Sequence, residues 1–311
     1  MDTLRIFLAG ATGALGRRLV PQLIERGHHV TGTTRSNADL LRALGAEPVQ
    51  VDPLDAAAVR AAVVAAEPDV VVHELTALAD LGMVRNFDKA FAMTNRLRTE
   101  GTDHLIAAAR AAGARRLVWQ SYAGWPYARE GGLIKSEDDQ LDPEPPADVR
   151  ETLAAIRHLE AAVTGAEGME GIVLRYGGFY GPGTSIDAGG QHVELMRKRR
   201  LPVGGDGAGI WSLVHIDDAA AATVAAIEGG APGIYNVVDD APAPTSELLP
   251  ALAAAVGAPP PRRVPGWLVR LMAGPQALSM MTSARGASNA KARHELGWTP
   301  RFTWRDVRVP G

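Results

Sequence analysis

Short apolar runs alternate with helical patterns along the first half of the chain. Residues 4–9 form an apolar run of strand length, and Leu15, Leu19, Leu23 and Ile24 then recur at the spacing of one helix face. The same patterns predict strands at 28–35, 47–52, 69–75, 115–121 and 171–177, and helices at 37–46, 55–68, 91–112 and 150–165. Strands that alternate with helices predict an α/β fold whose parallel sheet is covered on both faces.

The pattern becomes less regular in the second half. Residues 124–150 are rich in glycine, proline and acids and predict a long loop, which inside a domain is usually functional. Beyond Gly181-Pro182-Gly183 the sequence predicts helices at 190–199, 217–228 and 267–282 and strands at 211–216 and 233–238. We therefore expect two lobes, one mainly of residues 1–175 with contributions from about 212–240, and a smaller one mainly of residues 176–311.

Composition narrows the class of protein. The 311 residues are 46% hydrophobic and 22% charged, as in a globular protein, and the net charge of −3 argues against nucleic acid as a partner. No apolar stretch is as long as the roughly 18 residues of a membrane span, so no membrane partner is expected. The absence of cysteine excludes disulfides. Because the chain enters its first strand without a basic and apolar leader, we expect a cytoplasmic protein.

Three glycines stand between the first strand and the first helix. Gly10, Gly13 and Gly16 permit a tight turn, a close approach of the backbone to a pyrophosphate, and close packing of helix on strand. The free N–H groups at the helix N-terminus would face the phosphates. The turn therefore predicts a bound dinucleotide. The other predicted contacts in this turn are Thr12, Ala14 and Leu15.

The end of the second strand favours NADP over NAD. An NAD site holds the ribose 2′-hydroxyl with a carboxylate at this point, whereas the strand here ends in "GTTRS". Arg35 stands beside the expected position, and a guanidinium can bind a phosphate through two hydrogen bonds. We expect Arg35 to contact the 2′-phosphate of NADP.

Several segments resemble one known family in the family's own order. They include "GATGALG" (10–16), "DVVVHEL" (69–75), "LRYGGFYGPG" (174–183), "SLVHIDDAAAA" (212–222) and "ELGWTP" (295–300). The sequence resembles the extended short-chain dehydrogenases/reductases, also called the NAD-dependent epimerase/dehydratase family. The resemblance implies a Rossmann-type doubly wound parallel sheet that binds NAD or NADP, with a smaller C-terminal lobe that binds a small-molecule substrate in the cleft between them.

The resemblance also implies further cofactor contacts. Asp52 and Leu54 would lie near the adenine, and Leu75, Thr76 and Ala77 would follow the ribose and phosphates. Gly177, Gly178 and Phe179 would face the nicotinamide end. Family members often form dimers through two helices that correspond to 91–112 and 150–165, so a homodimer is expected here.

The catalytic signature of the family is absent. Its Tyr-x-x-x-Lys pair exchanges a proton with the substrate oxygen, and the lysine lowers the pKa of the tyrosine. No tyrosine of this chain has lysine four residues later. If Glu160 aligns with the glutamate that often follows the pair, Thr152 replaces the tyrosine and Ile156 the lysine. An isoleucine has no charge with which to lower a pKa.

Other side chains near the expected nicotinamide are candidates for the missing role. Ser121, Tyr122 and Tyr127 follow the fifth strand, and Tyr122 is our first choice as the acid. Lys135 is a candidate charge partner from the same loop, and Thr152 retains a hydroxyl. For each of the five, a hydrogen bond within the loop or helix is the alternative interpretation. No metal-ligand spacing occurs, so no metal is expected.

The substrate side departs from relatives that act on nucleotide sugars. Gly178 and Trp211 occupy the places where those relatives carry an asparagine and an arginine for the diphosphate. We therefore expect an NADP-dependent oxidoreductase acting on a small carbonyl or hydroxyl compound. Two alternatives stay open: a cofactor-retaining epimerase, isomerase or lyase, and a non-catalytic NADP(H)-binding sensor.

Overall fold

The computed structural model describes residues 3–78 and 85–307. The strands of the first half are β1 (Arg5–Ala9), β2 (His29–Thr34), β3 (Glu47–Gln50), β4 (Val70–His73) and β5 (Arg116–Tyr122). Its helices are α1 (Gly16–Glu25), α2 (Ala38–Ala43), α3 (Ala56–Ala66), α4 (Phe87–Arg96) and α5 (Thr102–Ala112). A π-helical turn over Leu97–Gly101 joins α4 to α5, so the pair forms one long helix with a bulge.

The second half supplies two further long strands and many short ones. Its strands are β6 (Ile134–Lys135), β7 (Glu170–Tyr176), β8 (Gly178–Tyr180), β9 (Val203–Gly204), β10 (Ile210–Trp211), β11 (Leu213–His215), β12 (Gly233–Val237), β13 (Ala243–Pro244), β14 (Arg263–Val264) and β15 (Gly286–Ala287). Its helices are α6 (Arg150–Thr164), α7 (Gln191–Arg197), α8 (Ile216–Glu228), α9 (Thr245–Ala255), α10 (Gly266–Thr282) and α11 (Ala290–Glu295), followed by a 3₁₀ turn (Trp304–Asp306).

Seven strands form one parallel sheet in the order β12-β7-β5-β4-β1-β2-β3. The chain leaves β1 toward β3 on one side and returns through β4 to the other side, so the winding direction reverses between β1 and β4. In doubly wound sheets, ligands bind at the carboxyl ends of the strands beside this reversal. The predicted Rossmann-type doubly wound fold is confirmed.

Both faces of the sheet are buried under helices. Leu8 and Leu19 belong to the apolar core on the side of α1 and α8, and Phe7 and Leu105 belong to the core on the side of α3, α5 and α6. A further apolar core, built from residues between 180 and 307, joins α7 and α9 to the 3₁₀ turn, and the segments around this core are called the second lobe below. Because parallel strands are covered on both faces, they appear in the sequence as continuous apolar runs.

Three differences from the predicted elements have local reasons. The helix predicted at 91–112 begins at Phe87, because the Asn86 side chain accepts the backbone N–H of Lys89 and caps it. The strand predicted at 211–216 is divided at Ser212 into β10 and β11, which pair with different partners. Helix α10 is kinked at Gly274, whose φ is 87°, directly before Pro275.

A buried ion pair fastens α6 to β7. The Arg175 guanidinium donates Nε to Glu160 Oε1 at 2.8 Å and Nη2 to Glu160 Oε2 at 2.7 Å, and the two side chains are 4% and 7% exposed. Ser121 Oγ donates to Glu160 Oε1 at 2.7 Å from β5. Arg175 Nη1 also donates to the Tyr127 hydroxyl at 3.0 Å, which donates to Asn236 Oδ1 of β12 at 2.6 Å. This network ties three strands, one helix and the long loop together.

We expect Glu160→Gln to lower the free energy of unfolding by about 3–5 kcal/mol, because it leaves the Arg175 guanidinium buried without a counter-charge. Denaturant unfolding followed by circular dichroism measures the loss. The matched control is Glu170→Gln, which breaks the surface pair of Glu170 with Arg116, where the Glu170 side chain is 51% exposed. That change should cost less than about 1 kcal/mol. Equal losses of unfolding free energy in the two variants would contradict a stabilising role for the buried pair of Glu160 and Arg175.

Candidate active site

The glycine turn lies beside the reversal of the sheet. Gly10 has φ +103° and directly follows β1, and a Cβ there would lie 2.7 Å from the carbonyl carbon of Glu74. A Cβ at Gly16 would overlap the carbonyl oxygen of Gly10. The backbone N–H of Gly13 closes the turn on the Gly10 oxygen at 3.0 Å. Only glycine therefore permits this close passage at Gly10 and Gly16.

The turn presents backbone to an incoming ligand. Gly13 and Ala14 are exposed, Thr12 is partly exposed, and Leu15 is buried beneath them. No side chain caps the first turn of α1, so its N–H groups have no side-chain partner among the described residues. Free N–H groups at a helix N-terminus favour a phosphate. This arrangement fits the pyrophosphate of a dinucleotide.

The end of β2 carries hydroxyl and guanidinium groups. The Thr33 hydroxyl accepts the N–H of Gly10 at 3.1 Å, and the Thr34 hydroxyl accepts the N–H groups of Ser36 and Asn37. Arg35 is exposed, and within the described parts of the chain its guanidinium has no ion-pair partner. No carboxylate stands at the end of this strand, as the sequence indicates.

The remaining predicted cofactor residues lie at the carboxyl ends of β3 and β4. Asp52 is exposed and accepts the N–H of Leu54 at 2.9 Å, which closes the turn after β3. After β4, Leu75 is partly exposed, whereas Thr76 and Ala77 are exposed, and the Ala77 N–H donates to Thr94 Oγ1 at 3.1 Å. The fold thus brings these residues to the same edge of the sheet as the glycine turn.

Glu74 is a buried acid at this edge that the sequence interpretation missed. Its Oε1 accepts the Tyr176 hydroxyl at 3.2 Å, and its Oε2 has no hydrogen-bond partner among the described residues. Burial raises the pKa of Glu74 well above its usual range and so favours the protonated form of this carboxyl group. A glutamate inside the apolar run "VVVHEL" is the signal that could have identified it.

A cavity of about 170 Å³ opens next to the carboxyl ends of β5 and β8. Its sheet side is formed by Tyr122, Trp125, Gly178 and Phe179. Its other lining residues, most of them from the second lobe, are Ala123, Gly124, Ser185, Ile186, His192, Met196, Leu201, Ile210, Trp211, Ser212, Leu213, Leu249, Leu252, Met280 and Ala284. The walls are mainly apolar and aromatic. Since an engineered apolar cavity of about 150 Å³ holds benzene, this one is the size of a single ring with a short substituent.

The cavity brings Tyr122 together with two of the residues predicted near the nicotinamide. Gly178 and Phe179 line the same wall as Tyr122, whereas Gly177 lies buried behind them, where a Cβ would come within 2.7 Å of the Ser212 oxygen. Burial raises the pKa of Tyr122 to about 12, so its phenol is protonated at neutral pH. Tyr122 can therefore donate a hydrogen bond into the cavity.

The other predicted catalytic side chains lie outside the cavity lining. Ser121 and Tyr127 belong to the buried Glu160–Arg175 network. Lys135 Nζ contacts Asp139 Oδ1 at 2.9 Å in the long loop. Thr152 is fully buried, where its hydroxyl donates to Asp88 Oδ1 at 2.8 Å and accepts Asn95 Nδ2 at 3.1 Å. These contacts correspond to the alternative interpretation, in which the four side chains form hydrogen bonds within the structure. A catalytic role for them stays a prediction.

The sequence interpretation also missed a buried arginine. Arg98 lies in the π-helical turn, is 6% exposed, and its Nη1 has no hydrogen-bond partner among the described residues. Burial lowers the pKa of Arg98 to about 10, against the raising effects of Glu160 and Tyr122. Helical π-bulges often occur at functional sites. The signal that could have identified Arg98 in the sequence is an arginine on a helix face whose other residues are buried.

The described part of the chain contains no cluster of three or more metal-ligating side chains. Nor is any helix within it both long and apolar enough to cross a membrane.

The glycine turn, the reversal of the sheet and the adjoining cavity define an α/β enzyme fold of the dinucleotide-binding class. The model of the NAD dependent epimerase/dehydratase family matches residues 6–237. The chain belongs to this family, which confirms the resemblance, and it is an enzyme related to reductases and epimerases.

The curated relatives include reductases. The chain is 46% identical to a 3-diazoavenalumate denitrifying reductase of a Streptomyces species, over 97% of this chain and 98% of that one. It is 31% identical to a 2-alkyl-3-oxoalkanoate reductase of Stenotrophomonas maltophilia, over 82% of this chain and 77% of that one.

Solved structures share the fold at lower identity. The UDP-glucose 4-epimerase of Thermotoga maritima, solved with UDP-glucose, has a TM-score of 0.77 at 19% identity, covering 97% of this chain and 95% of its own. The Bordetella bronchiseptica enzyme WbmG, in complex with NAD and UDP, has a TM-score of 0.75 at 20% identity, with coverages of 98% and 93%.

We expect Gly13→Ala to weaken NADPH binding by at least about tenfold, equivalent to about 1.4 kcal/mol, because the methyl group would stand where the backbone meets the pyrophosphate. Fluorescence titration with NADPH measures the dissociation constant. The control is Gly132→Ala in the long loop, where a Cβ would make only an ordinary 3.6 Å contact with the Ile134 oxygen. Unchanged affinity in Gly13→Ala would show that the cofactor does not use this turn.

Proposed function

We propose that this protein is an NADP(H)-dependent reductase that delivers hydride to a small aromatic substrate in the cavity beside Tyr122. The observation that carries the proposal concerns the two residues, Thr152 and Ile156, that replace the tyrosine and lysine of the family's Tyr-x-x-x-Lys pair. Thr152 is fully bonded to Asp88 and Asn95, and Ile156 is completely buried. Neither side chain can pass a proton to a substrate oxygen, so the reaction should be one that does not need this relay.

Reductive removal of a diazo group meets that condition. When hydride and its electron pair replace N₂ on an aryl diazonium carbon, the C–N bond breaks, a C–H bond forms, and N₂ leaves as the neutral product. The substrate is reduced by two electrons and the dihydronicotinamide that supplies the hydride is oxidised by two. No oxygen atom gains a proton. The 46% identical relative is named as a denitrifying reductase of a diazo compound, which supports this class.

The residues around the cavity would hold such a substrate rather than react with it. Trp125, Phe179 and Tyr122 offer aromatic surfaces to a planar ring. The protonated Tyr122 hydroxyl would donate a hydrogen bond to a ring substituent, and the mainly apolar walls would exclude water from the reacting carbon. The buried Arg98 would raise the positive potential beneath Tyr122 and so favour an electron-rich substituent there.

The preference for NADP over NAD rests on the end of β2. Thr34 and Arg35 occupy the region where an NAD site has its carboxylate. Arg18 pairs instead with Asp217 at 2.5 Å, and Arg17 donates to the Thr12 oxygen at 2.8 Å. Arg35 therefore remains the guanidinium best able to bind the 2′-phosphate.

We expect Arg35→Ala to weaken NADPH binding by about 10–100-fold, the range of a lost charged hydrogen bond, and to leave NADH binding unchanged. Calorimetric titration with each nucleotide gives both constants. The control Arg42→Ala removes an exposed guanidinium, paired with Asp39 on α2, and should change neither. Equal losses for NADPH and NADH in Arg35→Ala would contradict an NADP-specific role.

Carbonyl reduction is the second candidate, and Tyr122 is the observation that favours it. A protonated phenol on the cavity wall can give its proton to a carbonyl oxygen as hydride reaches the carbon. The 31% identical relative is named as a reductase of 2-alkyl-3-oxoalkanoates.

One labelling experiment separates the two candidates. The enzyme is incubated with NADPH deuterated at either face of C4 and with cinnamate-3-diazonium or 3-formylcinnamate. We expect N₂ release and one deuterium on the aromatic ring, from one labelled face only, since the uncatalysed reaction has no facial preference. A deuterated benzylic alcohol would instead support carbonyl reduction, and Tyr122→Phe should then reduce turnover at least about a hundredfold. Transfer from both faces equally, or none to either substrate, would overturn the proposal.

A further inference from the structure

The second-lobe wall of the cavity carries a hydrogen-bonded pair. His192 Nδ1 lies 2.7 Å from Ser185 Oγ, and both residues line the cavity. Ser185 belongs to the loop after β8, and His192 belongs to the first turn of α7. The pair thus faces the cavity from the lobe opposite Tyr122 and Phe179.

The loop between the two residues is held in place. The backbone N–H of His192 donates to the Ser185 oxygen at 2.9 Å, and that of Gly190 donates to the Asp187 oxygen at 2.8 Å. A Cβ at Gly190 would lie only 2.5 Å from the Ser185 oxygen, so the loop closes tightly on itself. The backbone that carries both side chains is therefore held by its own hydrogen bonds.

The remaining polar side chains of this wall have other partners. Ser212 Oγ accepts the N–H of Ala287 at 2.9 Å, and Trp211 Nε1 donates to the Met280 oxygen at 2.8 Å. No aspartate, glutamate, lysine or arginine is among the residues that line the cavity. Ser212 keeps an unused O–H donor, and the imidazole of His192, paired with Ser185, is the remaining side-chain nitrogen group among the described residues of this wall.

We propose that Ser185 and His192 form a specificity site that binds an oxygen substituent at the end of the substrate remote from the carbon that receives hydride. This inference rests on the proposed function, since it deepens the description of the same cavity. In the proposed site the Ser185 hydroxyl would donate to His192 Nδ1 across the 2.7 Å contact, which would leave Nε2–H as the donor for the substrate. A carboxylate, amide or ester oxygen is the matching acceptor.

The electrostatics of the pair agree with a hydrogen-bonding role. Burial lowers the pKa of His192, and no neighbouring charge contributes to the shift. The imidazole is therefore neutral at pH 7. It would select an oxygen atom through the geometry of a hydrogen bond and not through charge. A ligand without that oxygen would leave Nε2–H without a partner in an apolar cavity, which lowers its affinity.

Binding alone tests the assignment, so the result does not depend on whether the protein is a denitrifying reductase. The ligands are cinnamate, cinnamamide and β-methylstyrene, which share ring and double bond and differ in the terminal group. Their affinities are measured by calorimetry in the presence of saturating NADP⁺. We expect the two oxygen-bearing ligands to bind about tenfold more tightly than the hydrocarbon. Tighter binding of cinnamate than of cinnamamide would show that the site recognises a carboxylate. Equal binding of the two would show that it recognises a neutral oxygen.

His192→Phe and Ser185→Ala should each remove this preference and leave the affinity for β-methylstyrene within about twofold. The control Leu249→Ala, on the same wall, should weaken all three ligands alike. Retention of the preference in His192→Phe would overturn the assignment. So would equal affinity of the native protein for all three ligands, including failure to bind any of them.

Discussion

The bidentate ion pair between Glu160 and Arg175 is the interaction on which the rest of the site depends. Burying two charges is costly, and the pair is stable because each charge meets its counter-charge at hydrogen-bond distance with further donors around it. Ser121 and Tyr127 supply part of that shell. Their hydroxyls thus join β5 and the long loop to α6, and residues 122–125 at the end of β5 form part of the cavity wall. Two hydroxyl groups predicted to be catalytic are therefore part of the hydrogen-bonded network that stabilises the fold around the cavity.

The second constraint is the path of the backbone at the glycine turn. Gly10 passes so close to Glu74 that no side chain fits, and this contact brings the carboxyl ends of β1 and β4 together at the reversal of the sheet. The same edge exposes free N–H groups and hydroxyls to phosphate. The glycine turn therefore has the close backbone passage that its sequence predicts. The positions matched to the absent tyrosine and lysine differ from the family's pattern, because Thr152 is hydrogen-bonded to Asp88 and Asn95 and Ile156 is buried in the packing of α6.

Features set by neighbouring residues could be predicted from the sequence. The apolar runs of β1 and β4 predict buried parallel strands because both faces of the sheet are covered, and the spacing of Gly10, Gly13 and Gly16 predicts a phosphate turn because the conformation is local. Residues whose surroundings come from distant segments escaped prediction. His192 and Ser185 line the cavity only because the second lobe folds against the sheet, and Arg98 is buried only because α6 packs over the π-helical turn.

By itself the sequence determined the α/β fold from its periodicity, and the glycine turn and the absence of the Tyr-x-x-x-Lys pair from residue types at fixed spacing. The family came from the resemblance of several segments along the chain. Only the tertiary structure decided how the candidate side chains are distributed. It set Tyr122 on the cavity wall, and it directed Ser121, Tyr127 and Thr152 into buried hydrogen bonds. The reason is physical: a hydroxyl takes its role from the partners within about 3 Å of it, and those partners come from segments far away along the chain.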